Sequence, residues 1–328
     1  MRLAAELMAI DSTSGQEGEL AAHLCLMLES RGWRTTRIPV TPGRANVFAT
    51  SSHAPRVTLS THLDTVPPYI PPRIDGDTLW GRGACDAKGI AAAMIFAAEA
   101  LRARDVPVAL LFVVGEEITH DGAHAANAHP TTSRVLIDGE PTEGKLALGT
   151  KGAMRVVLRM SGVAAHSAYP ELGRSAIAAL VELLHELPSL ELPRDDALGA
   201  TTVNVGMISG GVADNVLAPS AEARLMVRLV SDAEEVWALL ERWVAGRATL
   251  ERGSLVPAMK LHTVPGFETS VVAFATDVPE LTRWGTPYLY GPGSIHVAHT
   301  AEERITRAEL LAAVDGYVRL AERALAVR

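Results

Sequence analysis

Acidic and histidine residues stand at the ends of the chain's apolar runs, and this placement constrains the fold more than any other feature of the sequence. Val57-Thr-Leu-Ser-Thr-His62 leads to Asp64, the run from Val108 to Val114 leads to Glu116 and Glu117, and Val135-Leu-Ile leads through Asp138 to Glu140. Asp86 and His299 join them from glycine-containing segments. Two carboxylates about 4 Å apart repel by roughly 4 kcal/mol at an effective dielectric near 20, so a fold that gathers several needs a cation among them. Open α/β sheets place ligand-binding residues at their strand ends. The simplest reading is a two-metal hydrolytic site.

The rhythm of the chain supports such a sheet. An amphipathic helix is expected from Gly15 to Gly32, with Leu20, Leu24, Met27 and Leu28 at helical spacing. Short strands at Val57–Ser60, Val108–Val114 and Val135–Ile137 then alternate with an alanine-rich helix, Ala87–Arg104, and a second helical stretch at Gly122–Ala128. After Lys151 the pattern changes. Strands at Ala153–Met160, Thr201–Ile208 and Ala221–Val230, with helices at Gly173–Glu186 and Ala233–Ala245, predict a smaller inserted α+β domain. The expected division is a catalytic α/β domain from residues 1–150 and 258–328 and an inserted domain at 151–257. A strand at Ser270–Ala275, another at Pro287–Tyr290 and a helix at Thr306–Val327 close the chain; if Pro287–Tyr290 rejoins the first sheet, both ends of the chain build that domain.

Composition narrows the partners. A net charge of −8 with no Lys/Arg-rich run argues against nucleic acid, and no stretch approaches the roughly 20 apolar residues of a membrane span. Met1–Ile10 carries Glu6 and has no cleavage-like site, and the two cysteines, Cys25 and Cys85, form no disulfide framework, so a cytoplasmic location is expected.

The strand period of two puts His62 and Asp64 on one side, where Asp64 can hold the far imidazole nitrogen of a metal-bound His62. Adjacent acids such as Glu116 and Glu117 point to different sides, so one can bind metal while the other acts on water. Asp86 lies in Gly81-Arg-Gly-Ala-Cys-Asp86-Ala-Lys-Gly89, a turn without the spacing of a nucleotide-binding loop. Asp138 rivals Glu140, and His296 rivals His299. His120-Asp-Gly-Ala-His124 has zincin spacing, but Asp121 stands where a glutamate is required and Gly122 weakens the helix, so it is expected to be structural.

Together these segments resemble the dinuclear zinc aminoacylase and metallopeptidase family that includes acetylornithine deacetylase, succinyl-diaminopimelate desuccinylase and glutamate carboxypeptidase. Thr-His62-Leu-Asp64-Thr-Val-Pro, the Asp86 segment, Gly115-Glu116-Glu117, Gly139-Glu140-Pro-Thr and Gly291-Pro-Gly…Ala298-His299-Thr follow the family's order and approximate spacing. The resemblance implies a zinc-peptidase-like α/β catalytic domain with an inserted, ferredoxin-like lid and dimerisation domain. It implies two divalent ions per subunit, zinc or cobalt, with Asp86 bridging, His62 and Glu140 completing one site, Glu117 and His299 the other, and Glu116 as general base. This choice favours Glu140 over Asp138 and His299 over His296. The same resemblance gives His166, in Gly162-Val-Ala-Ala-His166-Ser-Ala-Tyr169-Pro, an oxyanion role at a partner subunit's site. Asn215, Arg228 and the Gly291, Gly293 and Ser294 loop would bind the substrate carboxylate. One departure stands out: the chain lacks the additional helix that usually follows the lid's last strand, Pro257 leading almost directly to Ser270.

The expected activity is removal of an acyl group from an N-acyl amino acid by a homodimeric amidohydrolase. Cys85 before Asp86 and the Gly-Glu-Pro-Thr stretch resemble most the acetylornithine deacetylase-like members, which implies as first choice an N-acetylated ornithine, citrulline or lysine of arginine or lysine biosynthesis. Succinyl-diaminopimelate and dipeptide or carboxypeptidase substrates are the alternatives within the family. A non-catalytic dimeric ligand-binding member would have lost a ligand or the base, and none is lost. A two-metal phosphoesterase would need a phosphate cradle or arginine cluster that the sequence lacks.

Overall fold

The computed structural model describes residues Met1 to Val327. They divide into two compact units: Met1–Leu148 with Leu261–Ser270 and the chain from Thr276 onward, and Gly149–Lys260 with Val271–Ala275.

The first unit is built on a six-stranded sheet in the order Arg34–Thr41, Arg44–Thr50, Val108–Val113, Val57–His62, Val135–Asp138 and Thr286–Leu289. The first two strands are antiparallel to their neighbours and the last four run parallel. The parallel strands Val57–His62 and Val108–Val113 are buried at every position, as expected of strands covered on both faces. Alternation divides each between two layers. Leu110 and Phe112 share a core with the Lys88–Arg102 and Arg307–Ala326 helices, while Leu111 and Val113 pack with Leu136, Leu281 and Trp284 on the other side. The Lys88–Arg102 helix buries eleven residues, and its alanines let it lie close to the sheet and to the Arg307–Ala326 helix. The latter starts at a capping box between Thr306 and Glu309. Thr286–Leu289 pairs in parallel with Val135–Asp138, so the chain beyond the inserted unit does complete the first sheet.

Some elements lack a clear signal in the sequence. The Arg2–Met8 helix is only seven residues long, and the Arg34–Thr41 strand is an edge on which Ile38 alone is buried. The strand expected at Ser270–Ala275 runs instead over Thr269–Val272.

The second unit carries an antiparallel sheet in the order Thr202–Gly210, Ser220–Leu229, Gly152–Ser161 and Thr249–Val256. Met154, Val156 and Leu158 with Leu225 and Val227 face the Ala176–Glu186 and Ala233–Val244 helices, which contribute Leu180, Leu183, Leu240 and Trp243. The result is a mixed α/β fold with an inserted α+β domain, as the sequence predicts. Among the described residues, no helix is long and apolar enough to cross a membrane.

Candidate metal centre

Three parallel strands of the first unit end together. His62 lies opposite Val113 and Ser60 opposite Asp138, so Glu116, Glu117 and Glu140 emerge beyond the same sheet edge as His62. There His62 Nε2 lies 3.0 Å from Asp86 Oδ1 and 3.9 Å from Glu140 Oε1. The second Asp86 oxygen is 3.2 Å from His299 Nε2, which is itself 2.9 Å from Glu117 Oε1. Asp86 therefore stands between a His62–Glu140 side and a Glu117–His299 side. Donor atoms of His62, Glu116 and Glu140, and of His62, Asp86 and Glu117, lie within 4.8 Å of one another. Neither rival enters these groups: Asp138 is buried at its strand end and His296 is exposed.

The electrostatics show a site short of positive charge. Burial, then the neighbouring Glu140, pushes Glu116 well above the usual carboxylate range; burial does the same to Glu140, with Asp86 adding to it. Hydrogen bonds to Asp86 and Glu117 lift His299 to about 10. Burial alone would lower His62, but Asp64 and Asp86 outweigh it and hold the ring well above its ordinary value. The two histidine rings thus only partly offset the acidic groups around them. The donor set of histidine nitrogens and carboxylate oxygens suits zinc or a similar divalent ion, so the residues fit a metal pair.

Asp64 stands at the far nitrogen of the His62 ring, where the sequence expects it, and reaches it with two groups. Its carboxylate is 3.5 Å from His62 Nδ1, whereas its backbone carbonyl accepts from that nitrogen at 2.9 Å. The chain has left the strand after His62, which turns the carbonyl toward the ring. The carboxylate also accepts from Ser14 Oγ at 2.8 Å and from the N–H groups of Glu116 and Glu117 at 3.0 and 3.2 Å. Asp64 thereby fixes both the ring and the turn that carries the two glutamates.

In the glycine loop, Gly291 N–H donates to Thr142 Oγ1 at 2.9 Å, and Ser294 Oγ donates to Glu143 Oε1 at 2.9 Å. A Cβ on Gly291 would come within 2.4 Å of the Glu140 carbonyl oxygen, and one on Gly293 within 2.5 Å of Cys85 Cβ. These glycines let the loop approach the segments carrying Glu140 and Asp86. Cys85 itself is buried, with Sγ 3.7 Å from the Ser294 carbonyl.

The zincin-like pair separates as expected: His120 Nδ1 meets Asp277 Oδ1 at 2.7 Å and His124 Nδ1 meets Glu280 Oε2 at 3.1 Å. Asp277, which no local pattern marks, joins His120 and Glu116 within 4.8 Å.

In the second unit, His166 is exposed and its Nδ1 accepts from the Ala168 N–H at 3.1 Å. Ser167 N–H donates to the Asn215 carbonyl at 2.9 Å, and His166 bridges to Val216, which brings His166 and Asn215 close together. Arg228 is half-buried on the Ser220–Leu229 strand, and among the described residues it makes no ion pair. Burial and the nearby Arg155 lower its pKa.

Comparison with known proteins agrees with this architecture. A model described as a peptidase dimerisation domain matches residues 148–249, and one described as peptidase family M28 matches residues 46–155. A probable carboxypeptidase of Aspergillus fumigatus is 39% identical, the match covering 98% of this chain and 85% of the relative. A peptidase M20 domain-containing protein of Schizosaccharomyces pombe is 38% identical over 96% of this chain and 82% of its own length. Among solved structures, a Staphylococcus aureus tripeptidase superposes with a TM-score of 0.83 at 19% identity, covering 99% of this chain and 97% of the other. A Bacillus subtilis dinuclear metal-binding peptidase of the M20 family does so at 0.72 and 16%, covering 100% and 97%.

Proposed function

We propose that this chain, which belongs to the M20 peptidase family and is a metallohydrolase of amide bonds, is a two-metal exopeptidase that releases a C-terminal residue from dipeptides or short peptides. The observation that carries the metal reading is the Asp86 carboxylate, reached by His62 on one oxygen and His299 on the other, with Glu140 and Glu117 beyond. His62, Asp86 and Glu140 would hold one divalent ion, and Asp86, Glu117 and His299 the second. When bound, the ions supply Lewis acidity, polarising the scissile carbonyl and bringing a water's pKa toward about 7.

The chain's own groups do the rest. Glu116, raised by burial, takes the proton of the attacking water and passes it to the leaving nitrogen. Asp64 anchors the N–H groups of Glu116 and Glu117, so base and ligand keep one relative placement. Arg228, which makes no ion pair among the described residues, offers a two-pronged donor for the substrate carboxylate, a role the resemblance shares with Asn215. His166 is the candidate oxyanion donor, and its exposure suits a residue supplied to a second subunit.

Homodimerisation through the second unit is part of this proposal. The Thr202–Gly210 strand is a sheet edge with Met207 and Ile208 exposed, and the Ala176–Glu186 helix exposes Ile177 and Val181 one turn apart. Unpaired edges bearing apolar side chains favour partner strands.

The names of relatives at 38–39% identity favour the carboxypeptidase reading over the deacetylase one. Cys85, which pointed toward acetylornithine deacetylase, packs inside the protein and so says little about substrate. A competition assay separates the two: metal-loaded protein should cleave dipeptides at least tenfold more efficiently than N-acetyl-ornithine. The reverse ranking would return the deacetylase reading to first place.

A further inference from the structure

Beyond the proposed ligands lies a fully buried carboxylate, Glu303, whose partners are groups next to them. Its Oε1 accepts from the backbone N–H groups of Gly83, Cys85 and Asp86 at 2.9, 3.3 and 3.3 Å. Its Oε2 accepts from Arg82 Nη1 at 2.6 Å, and the same Arg82 nitrogen donates to the Thr300 carbonyl at 3.2 Å. Glu303 and Arg82 are 0% and 2% exposed. The Arg304–Thr306 strand pairs antiparallel with Thr78–Trp80, and Gly81 N–H donates to the Glu303 carbonyl at 3.0 Å, which brings Glu303 beside the start of the Asp86 turn.

We infer that the Glu303–Arg82 pair is a positioning device that locks the Asp86 turn to the His299 segment and thereby sets the affinity of the metal centre. One end of the pair holds the N–H of Asp86 itself; the other holds the carbonyl of the residue after His299. Asp86 arrives on a turn and His299 on a left-handed backbone, φ 63°, so neither is held by regular secondary structure. A carboxylate that collects three N–H groups and a guanidinium removes that freedom. A buried ion pair is a weak source of net stability, because desolvation offsets most of its attraction, and this pair is therefore better explained by what it positions. Residues that orient metal ligands commonly change metal affinity by about 10–100-fold when altered. The inference rests on the two-metal reading of the site.

The test is cobalt titration of metal-stripped protein by calorimetry and by the visible d–d spectrum of the bound ion. Glu303→Gln removes the carboxylate charge but keeps an amide oxygen for the loop N–H groups. Should an unpaired Arg82 prevent folding, Arg82→Met combined with Glu303→Gln leaves no buried charge and serves for the same comparison. The expected result is native far-UV circular dichroism with cobalt affinity at least tenfold weaker and a changed d–d spectrum. Native dichroism with unchanged affinity and spectrum would overturn the inference and leave the pair merely structural. Wild-type protein that takes up fewer than two cobalt ions would overturn the two-metal reading, and this inference with it.

Discussion

Loading the metal-stripped protein should expel protons in a number that the geometry fixes. Without a cation, His62 and His299 are both protonated near neutral pH: His299 sits at about 10 because Asp86 and Glu117 accept from it, and His62 lies well above its usual value through Asp64 and Asp86. A metal ligand must present an unprotonated nitrogen, so filling the site displaces both protons. Glu140, raised by burial, adds to the number. At pH 7.5 uptake of two ions should therefore release at least two protons. The overall binding constant should rise by at least one log unit per pH unit up to the region of pH 10, where His299 loses its proton, and more steeply wherever His62 is also protonated. The sign follows from competition: protons and metal share the same atoms, so fewer protons mean tighter binding. Titration calorimetry in two buffers of different ionisation enthalpy counts the protons directly. Release of fewer than one proton, or an affinity flat with pH, would mean that these histidines are not the ligands.

Three further outcomes follow from the same coordinates. Glu116→Gln should bind two metals with wild-type affinity while kcat falls about 10²–10⁴-fold, as read by amine release; retained turnover would remove Glu116 as the base. Burial holds Lys88 down at about 8, with its Nζ donating to the Ile10 carbonyl at 2.7 Å. The unfolded lysine keeps its proton to about 10.4, so folding stability should rise between pH 8 and 10.4, by about 3 kcal/mol, and Lys88→Met should abolish that slope in denaturant unfolding. Val181→Asp combined with Met207→Asp places charges on exposed apolar positions of the second unit and should yield a folded monomer by sedimentation; an unaltered dimer would move the interface elsewhere.

How much of this was legible in the sequence depended on whether a residue's role was local. His62, Glu116, Glu117 and Glu140 announce themselves because each ends an apolar strand, and parallel strands in register bring such ends together. The choice between Asp138 and Glu140 was not local, since both follow the same strand; resemblance to a family picked Glu140, and the geometry groups it with His62. Asp64 is legible as a partner of the imidazole from its spacing, whereas its hold on the Glu116 and Glu117 N–H groups joins segments far apart along the chain. That Gly291 N–H donates to Thr142 Oγ1 is not legible in the sequence, because the two lie far apart along the chain. Glu303 and Asp277 were invisible for a related reason: their partners, Arg82 and His120, lie far away along the chain. The polar edge strands Arg34–Thr41 and Thr249–Val256 lack buried runs, so their periodicity is faint.

The central claim is metal-dependent hydrolysis of an amide beside a free carboxylate. It is tested most directly by measuring amine release from dipeptides, their C-terminally amidated forms and N-acetyl amino acids, on metal-stripped protein with and without added zinc or cobalt. The account predicts cleavage that requires metal and the free carboxylate, strongest on a dipeptide. Cleavage that persists without metal, or a protein holding two ions per subunit that leaves every free-carboxylate substrate intact, would contradict it.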